Sequence, residues 1–323
     1  MATHHLSRKW WLPASLVVLV AAVALGAMIG PAGGISSANW QIVWNIRLPR
    51  VALAGVVGSM LSLAGASYQG VFRNPLVDPY LLGAAAGAGL GASLVFVYAR
   101  SGTSGWPVDP LPLAAFLGAL AAVFVTYTVG ASFGGSSLSL VLAGVAVAAL
   151  ATAVQQFLLL RHSDVIKEVY SWISGRVNTA TWSDVKLVLP YVVISGAVLL
   201  VHRRHLDVLR VGDEEASTLG SEVRRIRLVV VIAATLGTAA VVSVSGLIGF
   251  VGIMVPHLVR LVAGSSYRLV LPLSIVVGAA FLILADIPGR VLQHGGETPI
   301  GVVTALVGAP MFIFVLRSRR TAV

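Results

Sequence analysis

HRRHLDVLRVGDEEASTLGSEVRRIR, residues 202–227, lies between two long apolar runs, Leu187–Val201 and Leu228–Val242. Its positions 203–227 carry 11 charged side chains in a chain with only 22 basic and 12 acidic residues. A block so charged must sit in water while the flanking runs do not, because each unpaired charge left in hydrocarbon is costly. Within it Leu206, Leu209, Ala216, Leu219, Val223 and Ile226 recur at near-helical spacing, and Gly212 and Gly220 punctuate the pattern. The stretch reads either as a solvated loop that merely fixes topology or as a pair of short amphipathic helices docked on a soluble cytoplasmic partner, and by itself it leaves both open.

Composition places the rest of the chain in a bilayer. Hydrophobic residues make up 57% of the 323 positions and charged residues 11%, which excludes an ordinary soluble domain. Several apolar runs approach the roughly 20 residues needed to cross a bilayer as helix, and backbone groups in lipid must be satisfied within the segment. The alternation of an outer-membrane barrel is missing. There is no cysteine, so disulfides, thiolate metal sites and cysteine nucleophiles are excluded. The net charge of +10 is not a nucleic-acid signal, because the basic residues cluster at span ends, where orientation and anionic lipid account for them. The basic N-terminus, MATHHLSRKWW, leads into an apolar run to Ile29 that is too long for a signal peptide, and reads as an uncleaved first helix.

Hydropathy predicts ten spans: 11–29, 48–69, 80–99, 112–131, 138–160, 186–202, 226–244, 247–263, 269–286 and 299–316. An even number returns both ends to one side. Fourteen Lys and Arg residues fall on the side of the termini and eight on the other, so both termini are expected in the cytoplasm. The region 244–269 is blurred by Ser243, Ser245, Gly246, Gly249 and Gly252. Gly83, Gly87 and Gly91 recur every four residues and predict close helix packing rather than a nucleotide loop. Between His162 and Asp184, Tyr170, Trp172 and Trp182 suggest an interfacial helix. No GxxxxGK phosphate loop is present, so any ATP used belongs to a partner.

Four constellations stand out. Arg47 and Arg50, in IRLPR with Pro49 suited to a first helical turn, and Arg290, in ADIPGR, lie at outer span ends. They either snorkel to headgroups or receive carboxylates bidentately. Arg73–Leu82, RNPLVDPYLL, is a stiff two-proline connector or a constriction at the inner mouth of a pathway. Pro256 should kink a span, and the adjacent His257 reads as a structural histidine rather than a proton relay. His202 and His205 lack a third ligand. Asp78, Asp109, Asp164, Asp184, Asp286 and Glu297 all read as end or loop residues, which weighs against an ion-coupled carrier or a membrane enzyme. Gln155 and Gln156 lie deep in a span, facing a polar cavity or another helix.

Taken together, IRLPRVALAGVVGSMLSLAGASYQGVFRNPLVDPYLLGAAAGAGLGA, WISGRVNTATWSDV, GDEEASTLG, SGLIGFVGIMVPHLVRLV, ADIPGR and PIGVVTALVGAPMFIFVL resemble the permease subunits of type II ABC importers for ferric siderophores, haem and cobalamin. The resemblance spans nearly the whole chain. It implies an all-α integral membrane protein of about ten transmembrane helices with the type II importer permease fold, residues 1–323 forming one permease domain in the bacterial plasma (inner) membrane. It implies a second permease copy (a homodimer or close heterodimer), cytoplasmic ATPase subunits that hold the ATP and magnesium, an external substrate-binding protein, and a metal-chelate cargo, ferric siderophore first. No catalytic residue, metal ligand or cofactor of its own follows for this chain. Carried over by position, Arg47, Arg50 and Arg290 match the docking arginines for the binding protein. Asn74 and Leu76 match an inner gate, joined more loosely by Ser136 and Ser137. Gly212, Asp213, Glu214, Glu215, Ala216, Leu219 and Gly220 match the helices coupled to the ATPase. GGETPIG departs from the family's more apolar ELPVG-type string, which touches only the fine geometry of the outer dock.

Overall fold

The computed structural model describes residues 10–30, 40–99, 109–210, 212, 222–291 and 297–320, with side chains as far as 313. The chain runs through helices α1 (Trp11–Met28), α2 (Trp40–Val71), α3 (Ala84–Tyr98), α4 (Pro110–Ser132), α5 (Ser137–Arg161), α6 (Ile166–Ile173) and α7 (Trp182–Val201), then α8 (Arg203–Leu209), α9 (Val223–Ser245), α10 (Val251–Ala263), α11 (Tyr267–Val291) and α12 (Ile300–Arg320). Seven of these are long and apolar enough to cross a membrane, and three shorter apolar helices, at 84–98, 251–263 and 300–313, complete a set of ten. The fold is all-helical among the described residues, and the chain is an integral membrane protein.

The ends of the predicted spans shift for local reasons. The regular α-helical part of α2 starts at Leu48 with Pro49 in its first turn, as expected, and is extended upstream by a helical turn, Trp40–Ile42, and a π-helical turn, Val43–Arg47. Pro49 has no N–H to give to the preceding turn, and the wider π turn just upstream absorbs the missing bond. α3 starts at 84, not 80, because 78–83 form turns that end on Gly83 at φ 87°. α7 starts at Trp182, where Thr181 and Asp184 close a capping box. The blurred stretch resolves into a break at 246–250 between α9 and α10, with Gly246 at φ 67° and Phe250 at φ 69°.

Charge and burial divide the bundle into a centre and a rim. About 78% of the best 18-residue window is buried in both α2 and α9, against 17% in α1 and 22% in α5. The central contacts are backbone on backbone. A methyl added at Gly58 would lie 2.2 Å from the Gly278 carbonyl oxygen, and one at Gly65 would lie 2.1 Å from that of Gly252. Gly87 and Gly91 likewise face Gly118 and Ala114 of α4, as the four-residue repeat predicts, whereas Gly83 turns toward α5. Gln155 donates to the Gly89 carbonyl (3.1 Å) and the Ser93 hydroxyl (2.8 Å), so it binds α5 to α3 rather than lining a cavity.

Two helices lie off the main axes. α6 was expected at the interface, and Tyr170 is 70% exposed there, but Trp172 is wholly buried. Its carbonyl oxygen sits against Gly246 at the α9–α10 break. The α6 end therefore plugs the break instead of floating in headgroups. α8 buries Leu206 and Leu209, and Asp207 accepts from the Tyr267 N–H (2.8 Å) and the Ser266 hydroxyl (2.9 Å). Arg210 donates to the carbonyl and hydroxyl oxygens of Ser265. The first half of the charged stretch is thus bolted to the α10–α11 turn.

Candidate functional site

The end of the bundle where α1 starts is the near face here, and the opposite end is the far face. At the far face the structure brings Arg47, Arg50 and Arg290 together, as their positions in the sequence predict. None of the three presents a bare guanidinium: their exposures are 4%, 7% and 5%. Arg47 donates to the carbonyls of Ala27 (3.3 Å) and Met28 (3.1 Å), the unsatisfied last turn of α1. Arg50 holds Asp286 through Nε and Nη2, both at 2.8 Å, and Glu297 through Nη1 at 2.8 and 3.0 Å. Arg290 grips the same Asp286, four residues back on α11, and reaches the Gly26 carbonyl at 2.7 Å.

Asp286 corrects the sequence reading in one respect. It is no end or loop residue but a helical carboxylate, 2% exposed, inside a span. Two guanidiniums hold it as a counter-ion. The i, i+4 spacing of ADIPGR was the available signal. Glu297, with 30% of its side chain exposed, is the member of the network that water reaches.

At the near face, Asn74, Pro75 and Leu76 line a cavity of about 140 Å³ with Phe250, Met254 and His257 of the α10 region and Met311 of α12. The RNPL turn is held from within, since Asn74 Oδ1 accepts the Leu76 N–H at 2.9 Å and leaves Leu76 45% exposed. Ser136 and Ser137 do not reach this cavity. Ser136 is exposed and caps α5 by accepting the Ser139 N–H (3.1 Å), while Gly135 next to it accepts from Arg227. Of the coupling residues only Gly212 is described, at φ 131° and buried. Asp213, Glu214, Glu215, Ala216, Leu219 and Gly220 lie outside the described residues. Phe250 and Met311 were not singled out from sequence, because an aromatic and a methionine in an apolar span carry no pattern of their own.

These two sites are ends of one seam. The α9–α10 break and the start of α12 meet at the far face, where Gly301 N–H donates to the Ser174 carbonyl (3.1 Å) and Arg176 N–H to that of Ser245 (2.6 Å). The same break and helix, through Phe250 and Met311, line the near cavity. Among the described residues no group of three His, Asp or Glu could hold a metal. The His202 and His205 rings are tilted by 42° with centroids 5.4 Å apart, and His202 Nδ1 lies 2.8 Å from the Val198 carbonyl.

Residues 10–318 match the sequence profile of the FecCD transport family. A cobalamin import system permease protein of Halobacterium salinarum is 42% identical over 287 residues, covering 88% of this chain and 76% of that protein. An Fe(3+) dicitrate transport system permease protein of Escherichia coli is 36% identical over 280 residues, covering 86% and 83%. A solved metal-chelate type ABC transporter in an inward-facing conformation superposes with a TM-score of 0.87 at 28% identity, covering 95% and 98%.

Proposed function

The chain belongs to the FecCD transport family, the permeases of ABC importers, and from that premise we propose what it passes and how its partners hold it. It is a transmembrane permease subunit of such an importer. We propose that the cargo is a metal chelate, a ferric siderophore in the first place, delivered by an external substrate-binding protein. The H. salinarum relative, named for cobalamin import, favours cobalamin as the second reading.

In this reading the near face is cytoplasmic, as are both termini, and residues 1–323 act as one permease domain in the bacterial plasma membrane. ATP and magnesium stay on separate ATPase subunits. They seat on the stretch 203–227, whose described half, α8, is fastened through Asp207 and Arg210 to the turn that carries α10 and α11. Movement of that stretch would reach the near cavity through α10. Asn74 and Leu76 would act there as the inner gate, with Ser136 and Ser137 on the same face. The far-face cluster of Arg47, Arg50 and Arg290 would set the docking surface, and a second permease copy would complete the pathway. The chain would bind no cofactor and perform no chemistry on the cargo.

One observation carries the proposal: α12 runs from the far-face polar pocket, which its Ile300 lines, to the near cavity beside Asn74 and Leu76, which its Gly308, Met311 and Phe312 line. The test is co-purification with an ATPase subunit followed by uptake in proteoliposomes. ATP-dependent accumulation of a ferric chelate with its binding protein is expected. Accumulation driven by an ion gradient without the ATPase would overturn the reading.

A further inference from the structure

Below the arginine cluster lies a small polar pocket of about 70 Å³, lined by Arg50, Arg176, Asn178, Asp286, Glu297 and Thr298 among others. Arg50 and Arg290 pair there with Asp286 and Glu297. The other guanidinium lining the pocket is that of Arg176. It sits in the 174–181 loop, half-buried, with Nε out of water and without a hydrogen-bond partner. Asp109 and Asp184 act on it through space. Both are occupied as helix caps, Asp109 by the Leu111 N–H and Asp184 by the Thr181 N–H and hydroxyl. Other far-face cations differ: Lys167 and Lys186 are exposed to solvent, and Arg161 lies over the Phe157 ring.

We propose that Arg176 is the anion-receiving group at the outer mouth of the pathway, taking an ionised carboxylate borne by the cargo. A guanidinium N–H withdrawn from water without an acceptor, as at Arg176 Nε, is costly unless one arrives to meet it, and the planar fork fits a carboxylate through two parallel hydrogen bonds. The site belongs to the cargo rather than to a docked protein because of its place in the fold. Arg176 is tied by its own N–H to the α9–α10 break (Ser245 carbonyl, 2.6 Å). It therefore stands over the seam and not on an outer helix end. Room for a group of carboxylate size, a buried guanidinium N–H with no acceptor and position on the seam select chelates with free carboxylates over carboxylate-free ones.

The inference rests on the importer reading and is tested without relying on uptake. The permease–ATPase complex in nanodiscs is treated with phenylglyoxal, and modification is quantified at each arginine by peptide mass spectrometry. Arg176 should react while Arg47, Arg50 and Arg290 do not. Citrate should slow its modification about tenfold, in line with a charge-assisted contact, and trimethyl citrate should have no effect. Citrate should also change the ATPase rate of the wild-type complex; Arg176→Gln should lose that effect, while Arg176→Lys should keep the unfolding midpoint of the wild type. Equal protection by the ester, no protection by citrate, equal labelling of Arg50, or protection only by a docked binding protein would each overturn the proposal. Failure of the importer reading shows separately, as absence of ATP-driven uptake by the unmodified protein.

Discussion

Asp286→Asn is the most informative single change in this molecule. The Asp286 side chain is 2% exposed and holds Arg50 by two contacts of 2.8 Å while also holding Arg290. The amide keeps the volume and one acceptor oxygen, but it removes the charge and turns an NH2 toward a guanidinium. Two buried cations are then left with Glu297 alone. Removing one partner of a buried ion pair costs about 3–5 kcal/mol, a large part of a stability of about 5–15 kcal/mol. Glu297→Gln should cost far less, about 1 kcal/mol or below, because 30% of that side chain is exposed and screened by water. Replacing the triad at once (Arg50→Met, Asp286→Leu, Arg290→Met) should recover most of the loss, since apolar replacement of a buried network is often neutral. Equilibrium unfolding of the detergent-solubilised permease measures all three. A loss for Asp286→Asn no larger than for Glu297→Gln would refute the view that this cluster ties α1, α2 and α11 together.

Other outcomes follow from single contacts. Burial pushes the Asp78 carboxyl up to about 6, against the N–H it accepts from Tyr80. A folded-state value above the unfolded one means stability is fully present below about pH 4 and is lost as pH rises to about 6. Asp78→Asn keeps the acceptor for Tyr80 and should flatten that slope in unfolding midpoints measured from pH 4 to 8. Gly65→Ala drives a methyl to 2.1 Å from the Gly252 carbonyl, and should cost about 1–3 kcal/mol, read by the same unfolding assay. Asp207→Ala frees α8 from Tyr267 and Ser266. Uptake should fall several-fold while the ATPase still co-purifies, so unchanged uptake per ATP would remove α8 from the coupling route.

The number of spans, their order and the placement of Arg47, Arg50 and Arg290 at one end of the bundle were legible in the sequence, because apolar length and charge at helix ends are one-dimensional signals. What the arginines touch was not. The carboxylates that Arg50 holds come from 236 and 247 residues away in the chain, and an Asp inside a span reads as a boundary until the second arginine is placed beside it. Trp172 went astray for a similar reason. A tryptophan near a predicted interface is ordinarily a headgroup anchor, and only the cleft at the α9–α10 break shows where this one goes. The RNPL turn was found because proline marks it, whereas its neighbours Phe250 and Met311 arrive from helices that carry no local sign of the cavity. Arg176 was counted merely as an outward charge.

The bare glycine contacts along α2 have a mechanical consequence. Where Gly58 meets Gly278 and Gly65 meets Gly252, no side chain stands between the backbones to change rotamer and absorb a displacement. α2 cannot tilt against α11 or α10 by small repacking, so these pieces travel as one rigid frame. Any opening and shutting of the molecule must then be borne by parts outside that frame, such as the peripheral helices α1 and α5, which bury little of their length.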